Sequence, residues 1–215
     1  MHQRLGRSSA EALELRVQLG ELSPERLRLA AYLGDPSARE ALGAPLDYRW
    51  VPFSTCGHQT RDWIAGLAPW GKEPLIRAAL VATRAWAGLL RPLCAEGCAE
   101  ALLDSADMVL LAWLRASSVV HRRAAGRLAI AVARHDEACL PRDGRAIVVR
   151  SLEAVASSTA GVTTAILALR FADFEPEWAS KRAAKRAGIG RGRLRRAIER
   201  ELLPWALGRA DPCAP

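Results

Sequence analysis

The sequence predicts an all-α protein made of stacked antiparallel helices, arranged either as a bundle or as a short helical-repeat solenoid. Long segments rich in Ala and Leu, the strongest helix formers, alternate with short joints of Pro, Gly and Ser. A half-buried strand needs an apolar side chain at every second position, and no convincing run of this kind occurs. The one β-leaning stretch, residues 146–149, is too isolated to build a sheet.

Two short helices near the N-terminus have clear start signals. Ser23 and Asp35 each precede a proline, so each supplies an N-cap while the proline takes the first helical position, where its missing N–H is not needed. Gly34 and Gly43 follow the two apolar stretches and end them. We therefore expect a packed pair of short helices with a tight joint.

The rest of the chain divides into a helical body, a basic element and a tail. Pro45 and Pro52 exclude a continuous helix before residue 61. We predict a body over residues 1–174, a basic helix-turn-helix-like element over 175–209 and a disordered tail over 210–215. The helices expected in the body after the proline-rich break are 61–68, 73–90, 94–115, 119–138, 144–157 and 160–172.

The stretch ELSPERLRLAAYLGDPSAREALG resembles small uncharacterised helical proteins of GC-rich bacteria such as myxobacteria. The resemblance is confined to this N-terminal stretch. It implies an all-α fold, with a helical repeat as one form of it, and it brings no activity.

The net charge is concentrated in one segment. Residues 181–200 hold nine Lys or Arg and one acid, Glu199, whereas the remaining residues carry 22 charges of each sign. A local cationic segment is a candidate contact for an anionic partner, and nucleic acid is the first candidate.

A helix-turn-helix spacing underlies this charge. Ala184, Gly188 and Ile189 are followed by Leu194 and Ile198, a pattern that resembles the DNA-binding helix-turn-helix of bacterial regulators of the factor-for-inversion-stimulation type. The resemblance implies a small residue where two helices cross, a glycine in the turn, and apolar residues packing the second helix on the first.

The same resemblance assigns roles to the basic residues. It implies that Gly190 begins a recognition helix, with Gly192 inside that helix at a cost of about 1 kcal/mol relative to alanine. The cations expected to contact nucleic acid or an acidic partner are Lys181, Arg182, Lys185, Arg186, Arg191, Arg193, Arg195, Arg196 and Arg200. A solvated amphipathic helix from Arg191 to Leu203, with its apolar face packed on the body, is the alternative interpretation.

Little in the sequence points to catalysis. It contains no Walker loop, GxSxG motif or dinucleotide fingerprint, so we expect no catalytic residues, no cofactor and no enzymatic activity. Five cysteines without a tight CxxC pair are expected to be reduced thiols. Four ligands from the pairs Cys56/His58, Cys94/Cys98 and His135/Cys139 would form a zinc site if they converged, but we predict no metal.

These observations favour a cytoplasmic, bacterial, non-enzymatic regulatory or adaptor protein. The N-terminal residues MHQRLGRSS lack the apolar region of a secretory signal, and no apolar run is long enough to span a membrane. We expect the body to bind a protein partner and residues 181–200 to contact nucleic acid, with no membrane partner and no small-molecule substrate. The alternative is a pure protein–protein module, such as an inhibitor or accessory subunit of a bacterial regulatory or defence system, that binds an acidic partner through the Arg-rich helix.

Overall fold

The computed structural model describes residues 2–43, 58–93, 98–137, 140–173, 181–190 and 192–209, and every regular element among them is helical. The all-α prediction is therefore confirmed. Short 3-10 turns occur at Ala68–Trp70 and Arg91–Leu93. The α-helices are α1 (His2–Gln18), α2 (Pro24–Tyr32), α3 (Pro36–Ala41), α4 (His58–Ala65), α5 (Lys72–Leu90), α6 (Cys98–Arg115), α7 (Val119–Ala133), α8 (Arg142–Ala156), α9 (Gly161–Ala172), α10 (Lys181–Arg186) and α11 (Arg193–Ala206).

The chain forms two compact units. The first consists of Met1–Ser54 together with Glu199–Ala214, and the second contains Thr55–Ile198. Helix α11 begins in the second unit and ends in the first. The boundary predicted near residue 174 falls in residues 174–180, which the structure does not describe, and the predicted tail over 210–215 lies entirely outside the described residues. Both stay predictions.

In the first unit, the start signals of α2 and α3 are confirmed. The Ser23 hydroxyl accepts a hydrogen bond from the Arg26 N–H at 3.2 Å, and the Asp35 carboxylate accepts one from the Ala38 N–H at 2.7 Å. Each cap satisfies a backbone donor that has no partner within its own helix. The two helices pack on each other, as the sequence predicted.

The end of α11 is secured within the same unit by cationic side chains. The Arg16 guanidinium of α1 donates a hydrogen bond to the Leu207 carbonyl at 2.7 Å, beyond the last turn of α11. The Arg26 guanidinium lies 4.6 Å from the centre of the Trp205 ring. A cation at a helix C-terminus compensates the carbonyl dipoles there, so Arg16 acts as a C-terminal cap.

The second unit is a bundle. Helix α5 packs on α6, α8 and α9, and α8 also packs on α6 and α7. In a solenoid each repeat contacts only its neighbours along the chain, whereas α5 contacts helices that follow much later. This arrangement favours the bundle over the solenoid for residues 55–198.

Trp86 marks the centre of this bundle. Its side chain is completely buried on α5, and its indole N–H donates to the Ala172 carbonyl at the end of α9 at 3.1 Å. Nearby in the same interior, the Thr83 hydroxyl donates to the Ser151 hydroxyl of α8 at 3.2 Å. Both polar groups are buried and hydrogen-bonded, so the hydrogen bonds offset the cost of desolvation and fix α5 against its neighbours.

Lys72, the first residue of α5, joins three helices. Its ammonium donates to the carbonyls of Val155 at 2.9 Å and Ser157 at 2.6 Å, at the C-terminal end of α8. The same ammonium lies 5.0 Å from the centre of the Trp113 ring on α6. Burial, and secondly the charge of Arg122, lower the pKa of Lys72 below its ordinary value of 10.5.

This lowered pKa predicts a pH-dependent stability. Because folded Lys72 binds its proton less tightly than unfolded Lys72, the unfolded chain holds more protons between the lowered pKa and 10.5. The contribution of Lys72 to the free energy of unfolding is therefore expected to rise with pH through this window and to be lost as the pH falls below the folded pKa.

Denaturant unfolding of wild type and Lys72→Met at a series of alkaline pH values measures the effect. The free energy of unfolding of the wild type minus that of Lys72→Met is expected to increase as the pH approaches 10.5. A difference that stays constant or shrinks would contradict the prediction.

Candidate nucleic-acid interface

Helix α10 presents four exposed cations on a short scaffold. Lys181, Arg182, Lys185 and Arg186 are all exposed, while Ala184 between them is completely buried. The sequence contains no Asp or Glu between residues 181 and 198, so no acid within this segment neutralises these cations. The helix therefore presents a dense positive face on the second unit.

The turn after α10 is built on glycines in the left-handed backbone region. Gly188, Gly190 and Gly192 have φ angles of +78°, +77° and +72°. Side chains with a Cβ rarely adopt this conformation, which explains three glycines at alternate positions. The Ile189 N–H donates to the Ala184 carbonyl at 2.9 Å, and the Gly188 N–H donates to the Lys185 carbonyl at 3.3 Å. This is the Schellman pattern, which ends α10 at the glycine.

The apolar positions of the predicted spacing are buried as expected. Ala184, Ile189, Leu194 and Ile198 are each completely buried. Burial of the two α11 residues at positions i and i+4 gives the start of this helix one apolar face, and its cations take other faces. The apolar spacing thus corresponds to residues that are buried in packing, and the helix-turn-helix assignment itself stays a prediction.

The predicted start of the second helix is wrong. Helix α11 begins at Arg193, not at Gly190, and Gly192 precedes it instead of lying within it. The Arg193 N–H donates to the Gly190 carbonyl at 3.0 Å, and the Arg196 N–H donates to the Gly192 carbonyl at 3.2 Å. The left-handed glycines are incompatible with helical backbone, so the expected helix-propensity penalty at Gly192 does not arise.

Arg195 also departs from the prediction. Only 7% of the surface of Arg195 is exposed, and its guanidinium lies 5.0 Å from the centre of the Trp63 ring on α4. Arg195 therefore points into the second unit and does not face an outer groove. Sequence reasoning missed Trp63, because the two residues are far apart along the chain and no local pattern pairs them.

The other predicted cations lie in different environments. Arg196 is exposed, and Arg193 is half-buried with its guanidinium donating to the Ile189 carbonyl at 3.3 Å. Arg200 is exposed but belongs to the first compact unit, and Arg191 lies outside the described residues. The candidate interface therefore consists of the α10 cations with Arg193 and Arg196; we call these six residues the basic element.

A second group of cations lies on one exposed face of α7. Arg123 and Arg127 are exposed there beside three aliphatic side chains, Val119, Val120 and Ile130, whose exposed fractions are 50%, 69% and 53%. At helical spacing these five positions fall within one side of α7. The sequence analysis did not identify this mixed apolar and basic stripe.

Of the residues named for a zinc site, only His135 has a side chain among those that the structure describes. Helix α7 ends at Ala133, so His135 lies beyond this helix and not in the predicted 119–138 helix. Cys56, Cys94 and Cys139 lie outside the described residues, and the side chains of His58 and Cys98 do as well. Within the described part of the chain, no group of three or more His, Cys, Asp or Glu side chains could hold a metal ion.

Comparison with known proteins adds no relative. No family model, curated protein or solved structure matches this chain. Among the described helices, none combines the length and the apolar character needed to cross a membrane.

Proposed function

We propose that the protein is a non-enzymatic, cytoplasmic regulatory or adaptor protein that contacts duplex nucleic acid through its basic element. The observation that supports this proposal is the set of five exposed cations, with half-buried Arg193, in a segment free of acidic residues. Cations held close together release several counterions when they bind a phosphate backbone, which is the main source of affinity for nucleic acid.

The chemistry of the basic element favours backbone contact over base reading. Asn and Gln, which pair with adenine, are absent from residues 181–198, as are Ser and Thr. Arg can read guanine, but the segment before α11 is a glycine turn and not the first turn of a recognition helix. We therefore propose phosphate binding with little sequence preference.

Binding of a labelled DNA duplex at low salt, about 50 mM, tests this function. The double variant Arg193→Ala/Arg196→Ala is expected to weaken binding by about 10- to 100-fold, because two phosphate contacts are lost. The matched control is Arg123→Ala/Arg127→Ala, which removes the same charge from the exposed face of α7. Absence of binding by the wild type, or equal losses in both variants, would contradict the proposal.

A second candidate function is a protein–protein module that binds an acidic partner, such as an inhibitor or accessory subunit of a bacterial regulatory or defence system. The stripe on α7 favours it, because large aliphatic side chains beside two arginines suit an acidic surface with an apolar centre. In this proposal the body binds the protein partner and the basic element adds electrostatic attraction.

The same pair of variants separates the two functions. If the partner is a protein, an acidic protein is expected to co-purify with the wild type after nuclease treatment and to be lost from Arg123→Ala/Arg127→Ala. Retention of that protein by the α7 variant would contradict a role for the stripe.

A further inference from the structure

We infer that Arg195 is a positioning residue for the basic element, holding the start of α11 against α4 through the Trp63 ring. This inference rests on the proposed function. Arg195 is as deeply buried as Trp63, each with 7% of its surface exposed. A guanidinium 5.0 Å from the centre of an indole ring is in the range of a cation–π interaction, which strengthens when both groups are removed from water.

The glycine turn explains why such a contact is needed. Gly188 in the left-handed region gives α10 a definite end, but the glycine-rich backbone between α10 and α11 resists reorientation only weakly. The direction of α11 must therefore be fixed by packing of its first turns. Leu194 and Ile198 are completely buried apolar anchors in these turns, and Arg195 adds a contact to Trp63 of α4.

Arg195 lies between two cations of the basic element, half-buried Arg193 and exposed Arg196. Arg193 precedes it by two residues and Arg196 follows it directly, so the direction of the Arg195 side chain fixes the angular setting of both on the helix. An arginine buried against Trp63 keeps Arg196 exposed. Arg195 thus determines where Arg193 and Arg196 contact phosphates and does not itself contact phosphate.

Variants at Trp63 and Arg195 distinguish a positioning role of Arg195 from a direct contact with phosphate. Trp63→Leu removes the ring contact without changing the net charge. Trp63→Leu and Arg195→Met are each expected to weaken duplex binding by about 10-fold, with little further loss in the double variant, because both remove the same contact. Arg195→Lys keeps a cation near the ring and is expected to restore part of the affinity. Far-UV circular dichroism at the assay temperature confirms that each variant is folded.

The salt dependence of duplex binding distinguishes the loss of a direct phosphate contact from the loss of a positioning contact. If Arg195 contacted phosphate, Arg195→Met would reduce the log–log salt slope by about 0.9, the reduction expected for the control Arg196→Met, and Trp63→Leu would leave binding unchanged. That result would overturn the inference, and so would unchanged binding in both variants.

A second measurement needs no nucleic acid. Brief trypsin digestion is expected to cleave after Arg193 faster in Trp63→Leu and Arg195→Met than in the wild type, because the start of α11 is released. Equal cleavage rates would overturn the inference. If the wild type bound no duplex, the proposed function would fail, and the digestion would still decide whether Arg195 secures α11.

Discussion

Replacing Trp86 with alanine is expected to lower the free energy of unfolding by about 3–5 kcal/mol, the largest effect of any single substitution considered. The indole is completely buried on α5, the helix that packs on α6, α8 and α9. Its loss leaves a large cavity at this centre and removes the hydrogen bond to the Ala172 carbonyl. Urea unfolding followed by far-UV circular dichroism measures the change.

Two further variants separate the contributions to this effect. Trp86→Phe keeps most of the apolar contact but leaves the Ala172 carbonyl without its donor, so a loss of about 1–3 kcal/mol is expected. Val120→Ala changes a side chain that is 69% exposed and is expected to alter stability by less than about 0.5 kcal/mol. A Trp86→Ala loss as small as that of Val120→Ala would contradict the assignment of Trp86 to the centre of the bundle.

Removing all four cations of α10 is expected to have the largest effect on nucleic-acid binding. In Lys181→Ala/Arg182→Ala/Lys185→Ala/Arg186→Ala, four exposed charges disappear while buried Ala184 is unchanged. If each cation contacts one phosphate, the loss of duplex affinity near 0.1 M salt is on the order of a thousandfold. Alanine favours helix, so α10 itself is expected to persist. Fluorescence anisotropy with a labelled duplex measures the loss.

A matched control tests whether location or total charge matters. Four exposed arginines elsewhere in the second unit can be replaced together, which gives the same net charge as the α10 variant. Binding close to that of the wild type is expected, whereas a loss equal to that of the α10 variant would show that only net charge matters. The control substitutions are Arg123→Ala, Arg127→Ala, Arg134→Ala and Arg142→Ala.

The local signals in the sequence predicted much of the fold. The Ser-Pro and Asp-Pro starts of α2 and α3 act through caps only three residues away, so a short stretch of sequence contains all the information they need. Four of the six later helices were placed within three residues at both ends. The predicted 94–115 helix is described from Cys98 onward, and the predicted 119–138 helix ends at Ala133. The joints that bound them are Pro, Gly and Ser, which act on the backbone directly.

The candidate site was less predictable because its decisive contacts are long-range. The sequence showed the cations and the buried spacing around Gly188, but it could not show that Arg195 meets Trp63 of α4. Nor could it show that α11 ends in the same compact unit as α1, where Arg16 caps it. The three left-handed glycines were visible as residues, yet the helix-turn-helix resemblance assigned two of them to a helix.

The central claim is that the basic element binds the phosphate backbone of duplex nucleic acid. The most direct test is the salt dependence of duplex binding by the wild type, measured beside the α10 variant. If about five phosphates are neutralised, the plot of log K against log salt is expected to have a slope near −4 to −5, and the residual slope of the α10 variant is expected to be close to −1. A wild-type slope near zero, or equal slopes for the two proteins, would contradict the claim.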